Sequence, residues 1–284
     1  MIIFIVLLFF LAGSFYVTML YDSVNSSYVY IQQINRKTQA YHIFESALPV
    51  VIKVLKRDDS TVDSLQDEWS YPVFIKTEVG EIRLTIYDEE RFLNLNYIGE
   101  KKYRDTFERL FNLLNIDRKY IENLLIWSGK KEGTLDLEYP VKKAPLHSKE
   151  ELIYAGFDRD DLYGKKIGND FFPGLINFVT VYSSGKVNIN TAPLYVLKAL
   201  DERIDQNLAS KIIERRTKES FKSVNELVTV EGFTFDILYA VQDLVDVKSR
   251  YFHLLMELKI VDTTATFEAV YDRNKGEVVW KKLI

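Results

Sequence analysis

The sequence predicts an α+β protein in which a long N-terminal helix packs on one antiparallel sheet and a large helical domain interrupts that sheet. Three observations lead to this fold. The first 20 residues are apolar and continue into an amphipathic segment, strand-like runs occupy both ends of the remaining chain, and helical patterns fill its middle. Two tandem domains would have kept the strands together, so an insertion between strands explains the order better.

The composition of the 284-residue chain excludes several classes of protein. Hydrophobic residues make up 47% and charged residues 27%, which supplies a core and excludes a disordered chain or a polytopic membrane protein. The net charge of −4 is unfavourable for general nucleic-acid binding, which depends on neutralising phosphates. The chain has no cysteine, so disulfides, thiolate zinc sites and a cysteine nucleophile are excluded.

Residues 1–20 form an apolar run without a charged side chain, and the first carboxylate is that of Asp22. About 20 helical residues span the ~30 Å hydrocarbon layer of a membrane. A cleaved signal peptide is the alternative, because 12–14 could serve as a cleavage site, but the run is too long and lacks a basic start. We therefore predict a transmembrane helix whose first residues form a membrane and assembly stem: Ile2, Ile3, Phe4, Ile5, Leu7, Leu8 and Leu11.

An amphipathic pattern extends this helix over 21–57. Steps of three and four residues place one apolar stripe along it, made of Ile31, Ile34, Thr38, Tyr41, Phe44, Leu48, Val51 and Leu55. Pro49 lies inside the pattern and is expected to kink the helix. We expect the stripe to pack on the sheet and against sister subunits. A plain anchor followed by a linker is disfavoured, because no Gly-, Pro- or Ser-rich segment follows the apolar run.

Strand and helix patterns divide the rest of the chain. Strands are predicted at 71–79, 81–87, 252–261, 265–271 and 277–283, with a hairpin turn at 272–276. Helices are predicted at 103–114, 119–127, 193–200, 207–216, 223–228 and 234–245. Ser148 and Glu151 have the spacing of a capping box. The sheet is thus assigned to 58–98 and 249–284, and the inserted helical domain to 99–248.

The segment 186–193, K-V-N-I-N-T-A-P, is the strongest local motif. Asn190 or Thr191 is placed to cap the helix that opens near Pro193. This opening is similar to helix-hairpin-helix modules, including those of DNA-uptake receptors. However, such modules bind phosphate in a glycine-rich turn, whereas the turn 201–205 has three carboxylates and no glycine. A membrane-tethered DNA-binding protein stays an alternative, and a helical packing module fits better.

We find no catalytic motif in the sequence and predict a protein that is not an enzyme and has no cofactor. His42, His147 and His253 fall in separate predicted segments without metal-ligand spacing, so each is expected to be a surface or satisfied side chain. The acidic segments 88–90 and 158–161 lack EF-hand spacing and are expected to be solvated loops. Calcium binding is left open, without an assigned site.

Taken together, these features resemble the minor pseudopilin K family of type II secretion systems (general secretion pathway protein K). Four stretches carry the resemblance in order along almost the whole chain: the apolar helix, 88–96, 144–156, and 178–193 followed by 251–258. The matching motif positions are Arg91, Asn94, Asn96, Asn188, Asn190, Thr191, Ala192 and Pro193. Two departures are that the chain begins inside the apolar run, without a basic leader, and that 125–131 lacks the carboxylates that often follow Trp127 in the family.

The resemblance implies a pilin-like fold with a helical insertion similar to SAM or helix-hairpin-helix domains. It implies a minor pseudopilin at the tip of the pseudopilus that exports folded proteins across the outer membrane. Its partners would be other minor pseudopilins and the inner membrane, crossed once, with the C-terminal ectodomain in the periplasm and no nucleic acid bound. A type IV pilus minor pilin is the alternative within this class.

The missing acidic residue in the stem leads to a capping hypothesis. In major pilins a Glu near the fifth residue pairs with the N-terminal amine of a neighbouring subunit inside the membrane, where an unpaired carboxylate is costly. This chain has Ile5 at that position and no carboxylate before Asp22. We therefore expect a subunit that needs no neighbour above it, with the inserted domain blocking further addition.

Overall fold

The computed structural model of the protein describes residues 1–59, 61–77, 80–260 and 263–283. The positions 78, 79 and 261, which the sequence assigns to strands, lie outside the described residues. The predicted fold class is confirmed: a long helix packs on an antiparallel sheet, and a mainly helical domain is inserted between two strands.

Helix α1 extends over Ile2–Arg57 as one element of 56 residues that continues across Pro49. At about 1.5 Å per residue it is ~84 Å long. Lys56 and Arg57 lie in the last turn, where positive charge stabilises the helix dipole. Among the described residues, α1 is the single helix that is long and apolar enough to cross a membrane. Side chains up to residue 39 are exposed apart from half-buried Gln32.

The sheet has five antiparallel strands in the order β1-β2-β9-β10-β11. Their bounds are β1 Val73–Thr77, β2 Gly80–Asp88, β9 Tyr251–Ile260, β10 Thr263–Asp272 and β11 Glu277–Leu283. Strands β2 and β9 are hydrogen-bonded neighbours although the inserted domain separates them in the sequence. The sheet therefore closes only after the inserted domain has been traversed, as the strand-like runs at both ends of the chain predict.

The side chains of one sheet face form a core with the second half of α1. The period of two along each strand places Leu84, Met256 and Phe267 on this face, and all three are buried. Phe44 of α1 stacks on Phe267. Each such side chain contributes about 1.5–3 kcal/mol when it is fully buried. This core fixes α1 to the sheet as one unit.

The inserted domain has a separate hydrophobic core. Its helices are α2 Lys101–Leu113, α3 Lys119–Trp127, α4 Arg159–Tyr163, α5 Leu194–Leu200, α6 Gln206–Lys218 and α7 Phe235–Val241. Its short strands are β3 Leu93–Asn94, β4 Gly164–Ile167, β5 Asp170–Pro173, β6 Val179–Thr180, β7 Val187–Asn188 and β8 Val245–Asp246. They pair as β3-β6, β4-β5 and β7-β8, outside the main sheet.

Three predicted helix features need correction. The helix predicted at 223–228 is a 3-10 segment, Val224–Thr229, and α7 ends at Val241 rather than at 245. The predicted capping box does not form, because it would join Ser148 and Glu151 to each other's amides. Instead, Ser148 accepts a hydrogen bond from the amide of Glu150, and the carboxylate of Glu151 accepts one from the amide of His147. These shorter local bonds stabilise a 3-10 turn, which explains why no α-helix follows.

Candidate functional site

The first part of α1, residues 2–20, is an apolar rod whose side chains are exposed in the part of the chain that the structure describes. The seven residues predicted as the stem are all exposed, from Ile5 at 47% to Ile3 at 85% of their surface. Soluble proteins rarely leave such a continuous apolar surface in water. This rod therefore requires lipid or other subunits around it.

The apolar stripe of the stem divides into two parts, and the burial of its second part confirms the expected packing on the sheet. Phe44, Leu48, Val51 and Leu55 are buried against the chain's own sheet. Of the other members, Ile31, Ile34 and Tyr41 expose 55%, 44% and 36% of their surface, and Thr38 is exposed as well. Within the stripe, these four residues offer a surface to another protein. We call the segment 2–39, in which all side chains but half-buried Gln32 are exposed, the bare stem.

The motif residues predicted from the sequence lie where the sheet meets the inserted domain, which we call the lobe junction. Asn188 is fully buried and donates to the carbonyl oxygen of Asp63, the carboxylate of Asp88 and the hydroxyl of Ser249, at 2.8–3.1 Å. Thr191 donates its hydroxyl to the same Asp88 oxygen at 2.5 Å. The end of β2 is thus tied to β7 and to the segment that precedes β9.

Neither Asn190 nor Thr191 caps α5, so the predicted cap is wrong. Pro193 occupies the cap position, without a side-chain hydrogen bond. Asn190 instead bonds both the amide and the carbonyl oxygen of Phe221, at 2.8 and 3.0 Å, across 31 residues. The next residue, Ala192, is fully buried. The motif therefore serves tertiary packing, which a local reading of the helix start does not reveal.

The other motif residues lie at the same junction. Asn94 donates to the carbonyl oxygen of Ser183, and Asn96 donates to that of Leu146 while accepting from the amide of the same residue. The guanidinium of Arg91 lies 5.2 Å from the centre of the Phe92 ring, and burial lowers its pKa. Asn94 and Asn96 thus bind loops of the inserted domain to the segment that follows the sheet strand β2.

Residues 88–90 are buried, so their expected role as a solvated loop is wrong. Asp88, Glu89 and Glu90 expose 1%, 8% and 1% of their surface. Both carboxylate oxygens of Glu90 accept from the amide of Ser184 at 3.0 Å. Burial, assisted by the nearby Asp88 carboxylate, raises the pKa of Glu90 to about 8. Burial also raises the pKa of Asp88.

A second acidic group at the junction is partly neutralised by an arginine. Asp58, Asp63 and Asp67 have carboxylate oxygens within 4.8 Å of one another. The guanidinium of Arg273 lies 2.8 Å from Asp63 and 3.1 Å from Asp58. Burial raises the pKa of Asp63 to about 7. Since the guanidinium already supplies positive charge here, this group gives no independent indication of a metal, and calcium binding stays a prediction without an assigned site.

A small pocket, with a cavity volume of about 40 Å³, lies on the sheet face opposite α1, against loops of the inserted domain. His147 and His253, far apart in sequence, both line it, together with Glu89, Glu268 and others. Sequence patterns do not predict this grouping, because the segments that meet here are distant in the chain and are brought together only by the tertiary structure. Nδ1 of His253 lies 3.0 Å from Oε1 of Glu89.

Comparison with known proteins adds two findings. Residues 187–248, the part of the inserted domain that starts at β7, match the family model for the type II secretion system protein K. This match confirms the resemblance to the protein K family that the sequence motifs predict. The matched residues include Asn188, Asn190, Thr191, Ala192 and Pro193. No curated protein matches the sequence.

The fold is similar to that of a solved chain from enterotoxigenic Escherichia coli, in the crystal structure of the GspK-GspI-GspJ complex of its type 2 secretion system. The TM-score is 0.72 with 16% sequence identity, covering 89% of this chain and 98% of that chain. At this identity the likeness concerns the fold alone. Neither comparison favours the DNA-receptor or type IV pilin alternatives.

Proposed function

We propose that this protein is a minor pseudopilin of a type II secretion system that caps the tip of the pseudopilus. In this proposal residues 1–20 cross the inner membrane once, and the sheet and inserted domain lie in the periplasm. The observation that carries the tip position is the exposed apolar stem with no carboxylate before Asp22.

The electrostatics of the stem favour a terminal position. A carboxylate inside the hydrocarbon layer is costly unless a partner neutralises it. A subunit with a stem carboxylate needs the amine of a subunit nearer the tip, whereas Ile5 needs only lipid or apolar helices. A stem without a carboxylate leaves no charged group in the membrane for a subunit above it to neutralise.

The position of the inserted domain supports the same role. It leaves the sheet where β2 ends at Asp88 and returns where β9 begins at Tyr251. The C-terminal end of α1 lies at this edge too, because Asp58 pairs with Arg273 just after β10. The inserted domain is therefore at the end of the molecule opposite residues 1–20. A domain of this size at the membrane-distal end supports a role in blocking further addition of subunits.

Sister minor pseudopilins are the proposed partners. The similar solved chain belongs to a complex of three type II secretion proteins. In this protein the apolar side chains of the bare stem, including Ile31 and Ile34, offer a helical surface that a second long helix can cover. Packing of helices along this surface would join the subunits, while the second half of α1 stays packed on its own sheet.

The proposal is tested by locating the protein on assembled filaments. A peptide tag placed after residue 283 and detected with gold-labelled antibody is expected to mark one end of each filament. A tagged major subunit serves as the control and is expected to label the whole length. Labelling of this protein along the length would contradict the capping role.

A further inference from the structure

The two flanks of helix α1 on the sheet differ, and one of them is bridged to the sheet. Phe44 stacks on Phe267 of β10. On the same side, the amine of Lys281 in β11 lies 2.8 Å from the carboxylate of Glu45 and donates to the hydroxyl of Tyr41 at 3.2 Å. These contacts join α1 to the last two strands of the sheet, so the flank that faces β11 is closed.

The flank of α1 that faces the other edge of the sheet is an open groove. Its volume is about 670 Å³, and it lies between residues 35–50 of α1 and the strands β1 and β2. Half-buried Ile43 and Ile75 line it together with Val50, which exposes 58% of its surface. We call it the β1 groove. Because its apolar side chains are still open to water, another chain that covers them would be stabilised by their burial.

The β1 groove has no charged wall. Among the described residues that line it, there is no aspartate, glutamate, lysine or arginine. The polar side chains that α1 contributes are uncharged ones such as Thr38, Gln39 and Ser46. A charge brought into such a groove loses its water without gaining a partner of opposite charge. The groove therefore favours an occupant with an uncharged face.

The strand that borders the groove has an apolar edge. Val73 and Phe74 at the start of β1 are exposed, and Phe74 exposes 62% of its surface. Lys76 is the one charged residue of β1, whereas the opposite edge strand, β11, has three. Charged side chains keep other chains away from an exposed edge strand. The difference indicates that a partner covers the β1 side of the sheet rather than the β11 side.

The β1 groove is continuous with the bare stem, which indicates the kind of occupant. Residues 35–39 belong to both, so a helix that covers the exposed Ile31 and Ile34 reaches the groove within the next turn. Residues 35–50 extend over about 22 Å, roughly four helical turns, and a second helix can pack along all of them at a separation of about 8–10 Å. A strand added beside β1 would extend the sheet in its own plane and leave the groove open.

We propose that the β1 groove holds the long helix of one sister minor pseudopilin, and that the β11 flank of α1 holds none. The inference rests on the proposed function, from which it takes the class of partner, and it adds the side on which that partner lies. The partner helix presents an uncharged face of apolar and small polar side chains to residues 35–50. A subunit with one open flank has one neighbour along this part of its helix, as a terminal position requires.

Site-directed cross-linking tests the side on which the partner lies. The chain has no cysteine, so one introduced cysteine is a unique site for a benzophenone maleimide. Val50→Cys places it in the β1 groove, Lys281→Cys on the opposite flank and Ile34→Cys in the bare stem. The labelled full-length variants are irradiated in membranes that contain the complete secretion system, and cross-linked peptides are identified by mass spectrometry. We expect peptides from the N-terminal helix of a sister pseudopilin at Val50 and Ile34, in several-fold higher yield than at Lys281.

A charge placed in the groove provides a second test with a matched control. Ser46 is exposed and donates its hydroxyl to the carbonyl oxygen of His42 at 2.8 Å, and exposed Ser210 on α6 donates to that of Gln206 at 2.8 Å. Ser46→Glu is expected to reduce co-purification of the sister pseudopilin to about a tenth, because the partner helix would remove water from a carboxylate that the groove does not neutralise. Ser210→Glu adds the same charge to the inserted domain and is expected to leave co-purification unchanged.

The outcomes separate this inference from the proposed function. Pseudopilin peptides at Ile34 but not at Val50, equal yields at Val50 and Lys281, or normal co-purification of Ser46→Glu would overturn the groove and leave the proposed function intact. A cross-link from Val50 to a second copy of this chain would also overturn it, because the occupant is then a different one. If none of the three sites yields a pseudopilin peptide, both proposals fail.

Discussion

The first residues of the bare stem have no charged side chain, whereas the lobe junction buries several. The stem exposes apolar side chains and has no charged residue before Asp22. The junction buries Asp63, Asp88 and Glu90, and each accepts hydrogen bonds from amides, hydroxyls or a guanidinium. Polar partners lower the free-energy cost of burying a carboxylate, as they do at the junction. Lipid and apolar helices offer no such partners, so an unpaired carboxylate there is costly. The stem is therefore suited to contacts between subunits, and the junction to holding one subunit together.

The largest expected effect comes from removing the central amide of the junction. Asn188→Ala leaves Asp88, Ser249 and the Asp63 carbonyl oxygen without a shared donor, so the free energy of unfolding should fall by about 3–5 kcal/mol. Denaturant unfolding of the full chain in detergent measures this. Asn25→Ala, on the exposed stem, is the matched control and should change stability by less than about 0.5 kcal/mol. Similar losses for the two variants would remove the distinction between the regions.

The carboxylates of the lobe junction also make the free energy of unfolding depend on pH, and we expect this effect to be smaller than that of Asn188→Ala. Glu90 and Asp63 have pKa values raised to about 8 and about 7, so the folded state binds their protons more tightly than the unfolded state does. The stability that this provides is fully present below about pH 4 and is lost as pH rises through 7 to 8.

For Glu90 alone we expect a loss on the order of 2 kcal/mol between pH 5.5 and 8.0, measured by denaturant unfolding at a series of pH values. Glu90→Gln should flatten the profile, because the amide cannot ionise. Glu81→Gln, at the far end of β2, should leave the profile unchanged. If the free energy of unfolding rises between pH 5.5 and 8.0, or if Glu90→Gln leaves its pH dependence unchanged, the carboxylates of the junction do not cause that dependence.

The sequence predicts the elements well because their patterns are local. The alternation in 81–87 and the apolar steps of 119–127 correspond to β2 and α3, and 277–283 is a strand with the predicted bounds. The order of the strand-like runs also predicts the insertion, because β2 and β9 become neighbours across it.

The junction could not be predicted in the same way, because its partners are distant in the chain. The segment 88–90 reads as an acidic loop until Asn188, Thr191 and Ser184, about 100 residues later, are placed beside it. Likewise, the stripe of α1 predicts packing on the sheet but does not show at which residue the covered part begins. The periodicity identifies an apolar face, and only the tertiary structure shows what covers it.

The central claim, that the uncharged stem fixes this subunit at the tip, is tested most directly by Ile5→Glu, with Ile5→Gln as the uncharged control. Two quantities are measured for the tagged variants: the amount of protein secreted, and the number and position of gold labels on filaments. We expect at least several-fold less secretion and end labelling for the glutamate variant than for the glutamine variant, because its carboxylate has no amine to pair with at the tip. Full activity of Ile5→Glu, with label distributed along the filament, would contradict the capping role.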